Sequence, residues 1–337
     1  MILGLVFLVI GIGLLTVAAD RFVDGSAAVA RHFGISPVVV GALIIGFGTS
    51  LPEMLVSGLA AGRGDADLGV GNVVGSNVAN LTLVLGFAAL ITTISASRSV
   101  TRQELPLCVA SVLLFALFVQ NGFTRWEGAV LAFALALTLG RMLMGSGVDL
   151  DALDDDDDDD DAPLSQTVVT TIVGLIGTVG GAYLLVEGAL DVADELGLTG
   201  GFVGLTMVAI GTSLPEMVTA FVAARKGETD LIIGNLLGSN IFNSLAVGAV
   251  LGLVGPGPIE DTNLTGLATI VMIVVVLLAA AFLLFGGKVV RWQAIVLLAV
   301  YVATMPFTIS IETDCDDPAN ADDAACVTEG ESAQAAP

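Results

Sequence analysis

Glu53 and Glu216 are acidic residues inside apolar stretches. Each follows a proline in the heptapeptide GTSLPEM, which begins at Gly48 and again at Gly211. Each copy lies in a run long enough to cross a bilayer. A carboxylate at the centre of a membrane helix costs about 2.5–3.5 kcal/mol on insertion scales, and two that face each other also repel. A divalent cation between them removes the net charge and gives each carboxylate a ligand. Pro52 cannot donate the amide hydrogen that the Gly48 carbonyl would accept in a continuous helix, and its ring crowds that turn. The carbonyls of Gly48 and Thr49 are therefore expected to be freed and tilted outward, and Pro215 does the same to Gly211 and Thr212. Together with the hydroxyls of Thr49, Ser50, Thr212 and Ser213 they form a set of hard oxygen donors. Calcium takes carboxylates, carbonyls and hydroxyls at about 2.3–2.6 Å in a flexible shell, whereas magnesium demands a stricter octahedron and retains water. Soft metals want Cys or His, and no cysteine lies near either motif.

A second motif follows each broken acidic segment: GNVVGSN at 71–77 and GNLLGSN at 234–240. The glycine pairs Gly71/Gly75 and Gly234/Gly238 have the spacing that lets helices approach closely. Ser76, Asn77 and Asn80 recur at helical intervals, as do Ser239, Asn240 and Asn243. A single set of this kind is ordinarily a set of interhelical hydrogen bonds. Two sets, each just after a broken acidic helix, are read as completing an ion site.

The elements that must position these residues are membrane helices. Of 337 residues 55% are hydrophobic and only 13% charged, with a mean hydropathy of +0.93. That leaves too few polar residues to cover a soluble core. Ten spans of the length that crosses ~30 Å of hydrocarbon are expected. They lie near 2–19, 36–61, 68–92, 104–120 and 127–145, then 167–188, 201–224, 231–253, 264–286 and 290–310. The first has no basic flank and no small-residue cleavage site, so it reads as a retained helix. Without gaps, residues 41–80 match 204–243 at 19 of 40 positions, at a constant offset of 163. An odd number of spans per half inverts the second half. With both termini outside, Arg21, Arg31, Arg98, Arg102, Arg141, Arg225, Lys226, Lys288 and Arg291 fall in inner loops, and only Arg63 and Arg125 outside. The expected organisation is a first repeat at 1–148, an acidic cytoplasmic linker at 149–165, a second repeat at 166–310 and an acidic extracellular tail at 311–337.

The net charge of −23 excludes nucleic acid as a partner. Much of it sits in the run Asp154–Asp161 and in the tail, which read as solvated segments and suggest a halophilic source. Cys108 reads as a packing residue, and Cys315 and Cys326 could pair on an oxidising side. His32 is expected in a surface loop and Trp126 and Trp292 at the interface, while Asp20, Asp24 and Glu187 are expected to be solvated or paired at helix ends.

Inverted repeats, broken helices and acidic groups near the midplane together describe a secondary transporter in the cell membrane. No P-loop is present, so an ion gradient rather than ATP is expected to drive it. An enzyme would need a nucleophile and base or an open metal, and no His or Cys joins the glutamates. No cofactor is expected. GTSLPE with GNVVGSNVAN, repeated as GTSLPE with GNLLGSNIFN, closely resembles the alpha repeats of the sodium/calcium exchangers, in the cation/calcium antiporter superfamily. The resemblance covers nearly the whole chain except the aspartate run and the tail. It implies an all-α membrane protein, ten transmembrane helices in two inverted five-helix repeats, with four cation sites between helices 2, 3, 7 and 8. It implies calcium held by Glu53, Glu216 and the carbonyls of Thr49 and Thr212. Sodium would use those glutamates with Ser76, Ser239, the hydroxyls of Thr49 and Thr212, and backbone at Gly46 and Ala209. Asn80 and Asn243 would face the middle site, where some relatives carry an aspartate at the position of Asn243. Three sodium ions per calcium, and hence electrogenic exchange, are what the family implies. A proton/calcium antiporter and a cation channel remain as alternative readings.

Overall fold

The computed structural model describes residues 2–64, 66–145, 163–195 and 213–308. The aspartate run, Cys315, Cys326 and the tail lie outside the described residues. The described residues are almost wholly helical. We number α1 Ile2–His32, the bent pair α2 Pro37–Thr49 and α3 Leu51–Gly62, then α4 Ala66–Ile91. After β1 Ile94–Ser95 come α5 Arg98–Arg102, α6 Glu104–Val119, α7 Arg125–Gly145 and α8 Leu164–Glu195. The chain continues with α9 Leu214–Lys226, α10 Thr229–Val254, α11 Leu264–Gly286, β2 Lys288–Val289 and α12 Arg291–Thr308. Among the described residues seven helices are long and apolar enough to cross a membrane, and α2–α3 makes an eighth if its two pieces form one span.

Many large apolar side chains face outward, while the polar side chains of the two motifs are buried with the apolar core. Val9, Ile10 and Val17 on α1 and Val173 and Ile176 on α8 are exposed, whereas Glu53, Glu216, Asn235 and Asn243 are buried. Such a surface suits hydrocarbon, where backbone bonds satisfied within each helix are the governing requirement. Helices α4 and α10 are the most enclosed, with 72% and 83% of their most apolar stretch buried. Both second motifs therefore run through the middle of the bundle.

Glycine seams set the helix spacing, and two of them are extensive. Helices α1 and α8 run antiparallel, Gly4 beside Gly188 and Gly25 beside Thr171. A Cβ on Gly11 would come within 2.7 Å of the Leu185 amide nitrogen, and one on Gly174 within 2.6 Å of that of Phe22. Residues 11 and 174 are equivalent by the 163-residue offset. The second seam joins α2 to α10. A Cβ on Gly41 would meet the Leu231 carbonyl at 2.6 Å, one on Gly238 the Ala42 Cα at 2.5 Å, and one on Gly234 would press into the Val38 carbonyl. The close approach expected of the G-x-x-x-G spacing is therefore made by Gly234 and Gly238. Gly71 and Gly75 differ: among the described residues a Cβ on Gly71 meets only a Leu264 methyl at 3.8 Å, and one on Gly75 meets nothing. The segment equivalent to α2, 200–212, lies outside the described residues.

Two short backbone ties join the halves. β1 pairs antiparallel with β2, Ile94 opposite Val289. Phe123 and Gly257 exchange N–H···O bonds of 2.8 and 2.9 Å. Helix α1 extends past the expected span to include His32, because no proline or glycine cap stops it before Gly34. Asp20 and Asp24 are thus inside a helix rather than at its end. They are paired, with Lys226 Nζ at 2.8 Å from Asp20 and 2.6 Å from Asp24, which fastens the end of α9 to α1. Cys108 is buried among apolar side chains, and Trp126 and Trp292 are exposed.

The seam predicts a contrast between two alanine substitutions. Gly234→Ala must push α2 off α10, and overpacking of this kind costs about 1–3 kcal/mol. Gly13→Ala, where a Cβ meets nothing, should leave the protein unchanged. Thermal unfolding in detergent should show a lowered Tm for the first variant only.

Candidate cation site

The break that the prolines dictate falls at the preceding serine. Ser50 leaves the helical region (φ −85°, ψ 5°), and Ser213 does the same (φ −85°, ψ 1°). Pro52 and Pro215 then occupy the first turn of α3 and α9, where a missing amide costs no hydrogen bond. The axes of α2 and α3 differ by 45°. Bonds cross the break from the Ser50 amide to the Gly46 carbonyl (3.2 Å) and from the Met54 amide to the Ser50 carbonyl (3.1 Å). The Gly48 carbonyl, expected to be freed, accepts a backbone N–H at the Ser50 cap instead. The Thr49 carbonyl takes neither crossing bond.

Helices α3 and α9 each begin just after these serines, and the first turn of each carries the glutamate. Glu53 and Glu216 therefore sit at the positive end of a helix dipole, which favours a carboxylate by about 0.3–1 kcal/mol and more when partly buried. That offsets only part of the burial cost. The two carboxylates are electrostatic neighbours. Around Glu216 stand the hydroxyls of Thr49, Ser50 and Ser239. The Ser50 hydroxyl donates to Glu216 Oε1 at 3.3 Å, so the break of one half reaches the acid of the other. Ser239 Oγ lies 3.3 Å from the Gly46 carbonyl, and Thr49 Oγ1 donates to the Ile45 carbonyl at 2.9 Å. The Gly46 carbonyl is thus already a hydrogen-bond acceptor from Ser50.

Thr49, Ser50, Glu53, Ser76, Asn80, Ser213, Glu216, Ser239 and Asn243 are all buried. Thr212 and Ala209 lie outside the described residues. Asn80 opens the π-helical turn Asn80–Val84 of α4, and Asn243 lies in the corresponding turn Phe242–Val247 of α10. Such turns shift the side chains that follow and are frequent at functional sites. No hydrogen bond among the described residues ties Ser76, Asn80 or Asn243 to either glutamate.

Eleven buried polar side-chain atoms among the described residues have no partner in the protein; six belong to the two motifs and four to Asn80 and Asn243, three residues beyond the second motif. They include both carboxylate oxygens of Glu53, Oε2 of Glu216, Oγ of Ser213, and the whole amide groups of Asn80 and Asn243. Buried polar groups are almost always paired, so such a concentration marks a place built for a ligand. Its donors are oxygens, with no group of three or more His, Cys, Asp or Glu side chains among the described residues. Two carboxylates supplemented by neutral oxygens suit hard cations. Asn72, Asn235, Ser57 and Thr219 also join the hydrogen-bond network around the site, although the motifs do not mark them as ligands. Asn72 donates to the Glu53 carbonyl at 3.2 Å and to Ser57 Oγ at 2.9 Å, holding the first turn of α3. The repeated GN dipeptide was the available signal for the two asparagines; Ser57 and Thr219 have no counterpart in the other half.

The profile of the sodium/calcium exchanger protein family matches residues 3–144 and 166–309. The chain belongs to the sodium/calcium exchanger family. Relatives of this exchanger include the sodium/calcium exchanger MaX1 of Methanosarcina acetivorans, 28% identical over 90% of this chain and 95% of that one. The inner membrane protein YrbG of Escherichia coli is 33% identical over 81% and 87%. A solved structure of the sodium-calcium exchanger NCX_Mj superposes with a TM-score of 0.82 at 32% identity, covering 90% of this chain and 98% of that one. The exchanger is thus an all-α, multi-pass membrane protein that exchanges calcium for another cation, and its family is one of transporters rather than enzymes.

The Ser50–Glu216 bond predicts the effect of Ser50→Ala. Losing a hydrogen bond to a charged group costs about 1.5–3 kcal/mol, so calcium affinity should fall roughly tenfold or more. Calcium titration followed by isothermal calorimetry measures it.

Proposed function

We propose that this exchanger couples calcium movement to sodium, three sodium ions for each calcium, and moves one charge per cycle. The observation that carries this reading is the pair Glu53 and Glu216, buried side by side with three of their four oxygens unpartnered. Two ionised carboxylates are neutralised by one calcium. Three sodium ions leave the cluster with one positive charge. Calcium is bound by Glu53, Glu216 and the carbonyls of Thr49 and Thr212. Sodium uses the same glutamates with Ser76, Ser239, the hydroxyls of Thr49, Ser50, Thr212 and Ser213, and backbone at Gly46 and Ala209. Asn80 and Asn243 supply neutral oxygens between the outer sites, so the cluster carries no third carboxylate.

The architecture that goes with this function is ten spans in two inverted five-helix repeats, with both termini outside and 149–165 as a cytoplasmic linker. The antiparallel contacts of α1 and α8 support it, since equivalent residues occupy equivalent places across the seam: Gly25 meets Thr171 as Gly188 meets Leu8. A net charge of −23 agrees with a protein that works in concentrated salt.

Reconstituted vesicles test the reading in two ways. Glu53→Gln and Glu216→Gln should each abolish sodium-driven uptake of labelled calcium while the purified variants stay folded; wild-type flux in either would refute the site. With the potential clamped by potassium and valinomycin, an inside-negative voltage should favour sodium entry with calcium exit, at ~2.3 kcal/mol per charge per 100 mV. Flux indifferent to voltage would mean two sodium ions per calcium. Flux driven by a pH gradient without sodium would mean proton coupling.

A further inference from the structure

Asn235 lies on α10 one turn before Ser239 and is fully buried. Its Oδ1 is 3.3 Å from Thr49 Oγ1 and 3.5 Å from Ser239 Oγ, on two different helices. Its Nδ2 donates to Thr219 Oγ1 at 3.3 Å. Thr219 in turn donates to the Pro215 carbonyl at 2.7 Å, in the turn that carries Glu216. One buried amide therefore touches three of the elements that make the site.

The order of donors fixes what this amide does. A hydroxyl has one hydrogen and two lone pairs. It can offer a lone pair to a cation only when its hydrogen is directed elsewhere. The Thr219 hydrogen is committed to the Pro215 carbonyl, so Thr219 can only accept from Asn235, and the amide must present Nδ2 to it. That leaves Oδ1 facing Thr49 and Ser239, as a side-chain acceptor shared by both. Each hydroxyl has a single hydrogen and shares it in a three-centre bond: Thr49 between the Ile45 carbonyl (2.9 Å) and Asn235 Oδ1 (3.3 Å), and Ser239 between the Gly46 carbonyl (3.3 Å) and Asn235 Oδ1 (3.5 Å).

We propose that Asn235 is a positioning residue: with Thr219 as its anchor, its Oδ1 acts with the Ile45 and Gly46 carbonyls to hold the hydroxyl hydrogens of Thr49 and Ser239 away from the cation, so that their lone pairs face it. The inference rests on the reading of the Glu53–Glu216 cluster as the cation site. The two halves differ here. Asn72, the equivalent of Asn235, uses Nδ2 on the Glu53 carbonyl and on Ser57, so it steadies backbone where Asn235 orients hydroxyls.

A double-mutant cycle on the full chain in detergent, read as calcium affinity by calorimetry, separates this role from simple support of the fold. Asn235→Leu should weaken calcium binding about tenfold in the wild-type background. In a Ser239→Ala background, where one of the two oriented hydroxyls is gone, the same change should cost clearly less, about threefold. Equal factors in both backgrounds, or unchanged affinity in the wild-type background, would overturn the proposal. Should Asn235→Leu fail to fold, Thr219→Val removes the anchor and keeps the amide; it should weaken calcium binding in the same direction, and unchanged affinity would again overturn it. A Glu216→Gln variant that binds calcium as the wild type does would instead sink the site reading itself.

Discussion

The structure depends on holding two carboxylates beside each other in a place water does not reach. Like charges at close range in a low-dielectric medium repel strongly, and each also loses its hydration. Neither can be satisfied by the protein alone, because a buried cationic side chain would occupy the place of the transported ion. The chain instead surrounds Glu53 and Glu216 with weak, adjustable partners: helix termini, hydroxyls, amides and carbonyls. Each contributes modestly, and together they let the cluster accept different cations without a permanent counter-ion.

That requirement governs the backbone. A continuous helix has no spare carbonyl and directs its dipole ends away from the midplane. Ending α2 at Ser50, and starting α9 just after Ser213, brings two helix N-termini to the acids. The breaks in turn need neighbours close enough to exclude lipid, and the glycines of α2 and α10 provide that proximity. Polar chemistry, helix geometry and small-residue packing are thus successive consequences of one electrostatic demand.

Much of this was legible in the sequence because the repeat makes chance an unconvincing explanation. A single GTSLPEM is a proline kink with an acid; two, each followed by G-N-x-x-G-S-N, specify helix breaks, acids and small-residue faces at once. The burial of Glu53, Ser76, Asn80 and their equivalents follows from that pattern. What the pattern could not supply is the pairing across halves. Ser50 reaching Glu216, and Asn235 reaching Thr49, join residues 166 and 186 positions apart. The rebonding of the Gly48 carbonyl depends on local angles that proline alone does not set. Helix α1 runs past the expected boundary because Asp20 and Asp24, which read as a membrane edge, share Lys226 as a partner within a continuing helix.

The glycine seam between α1 and α8 also bears on how the protein is made. Helix α1 leaves the ribosome with a strip of bare backbone along one side, at Gly4, Gly11 and Gly25. The strip is meant for a helix that begins only at Leu164. During the synthesis of everything between, lipid must cover it, which is tolerable because a helix satisfies its own backbone bonds. Helix α1 therefore waits through several intervening helices for its partner, and closing that seam ties the first half of the chain to the start of the second.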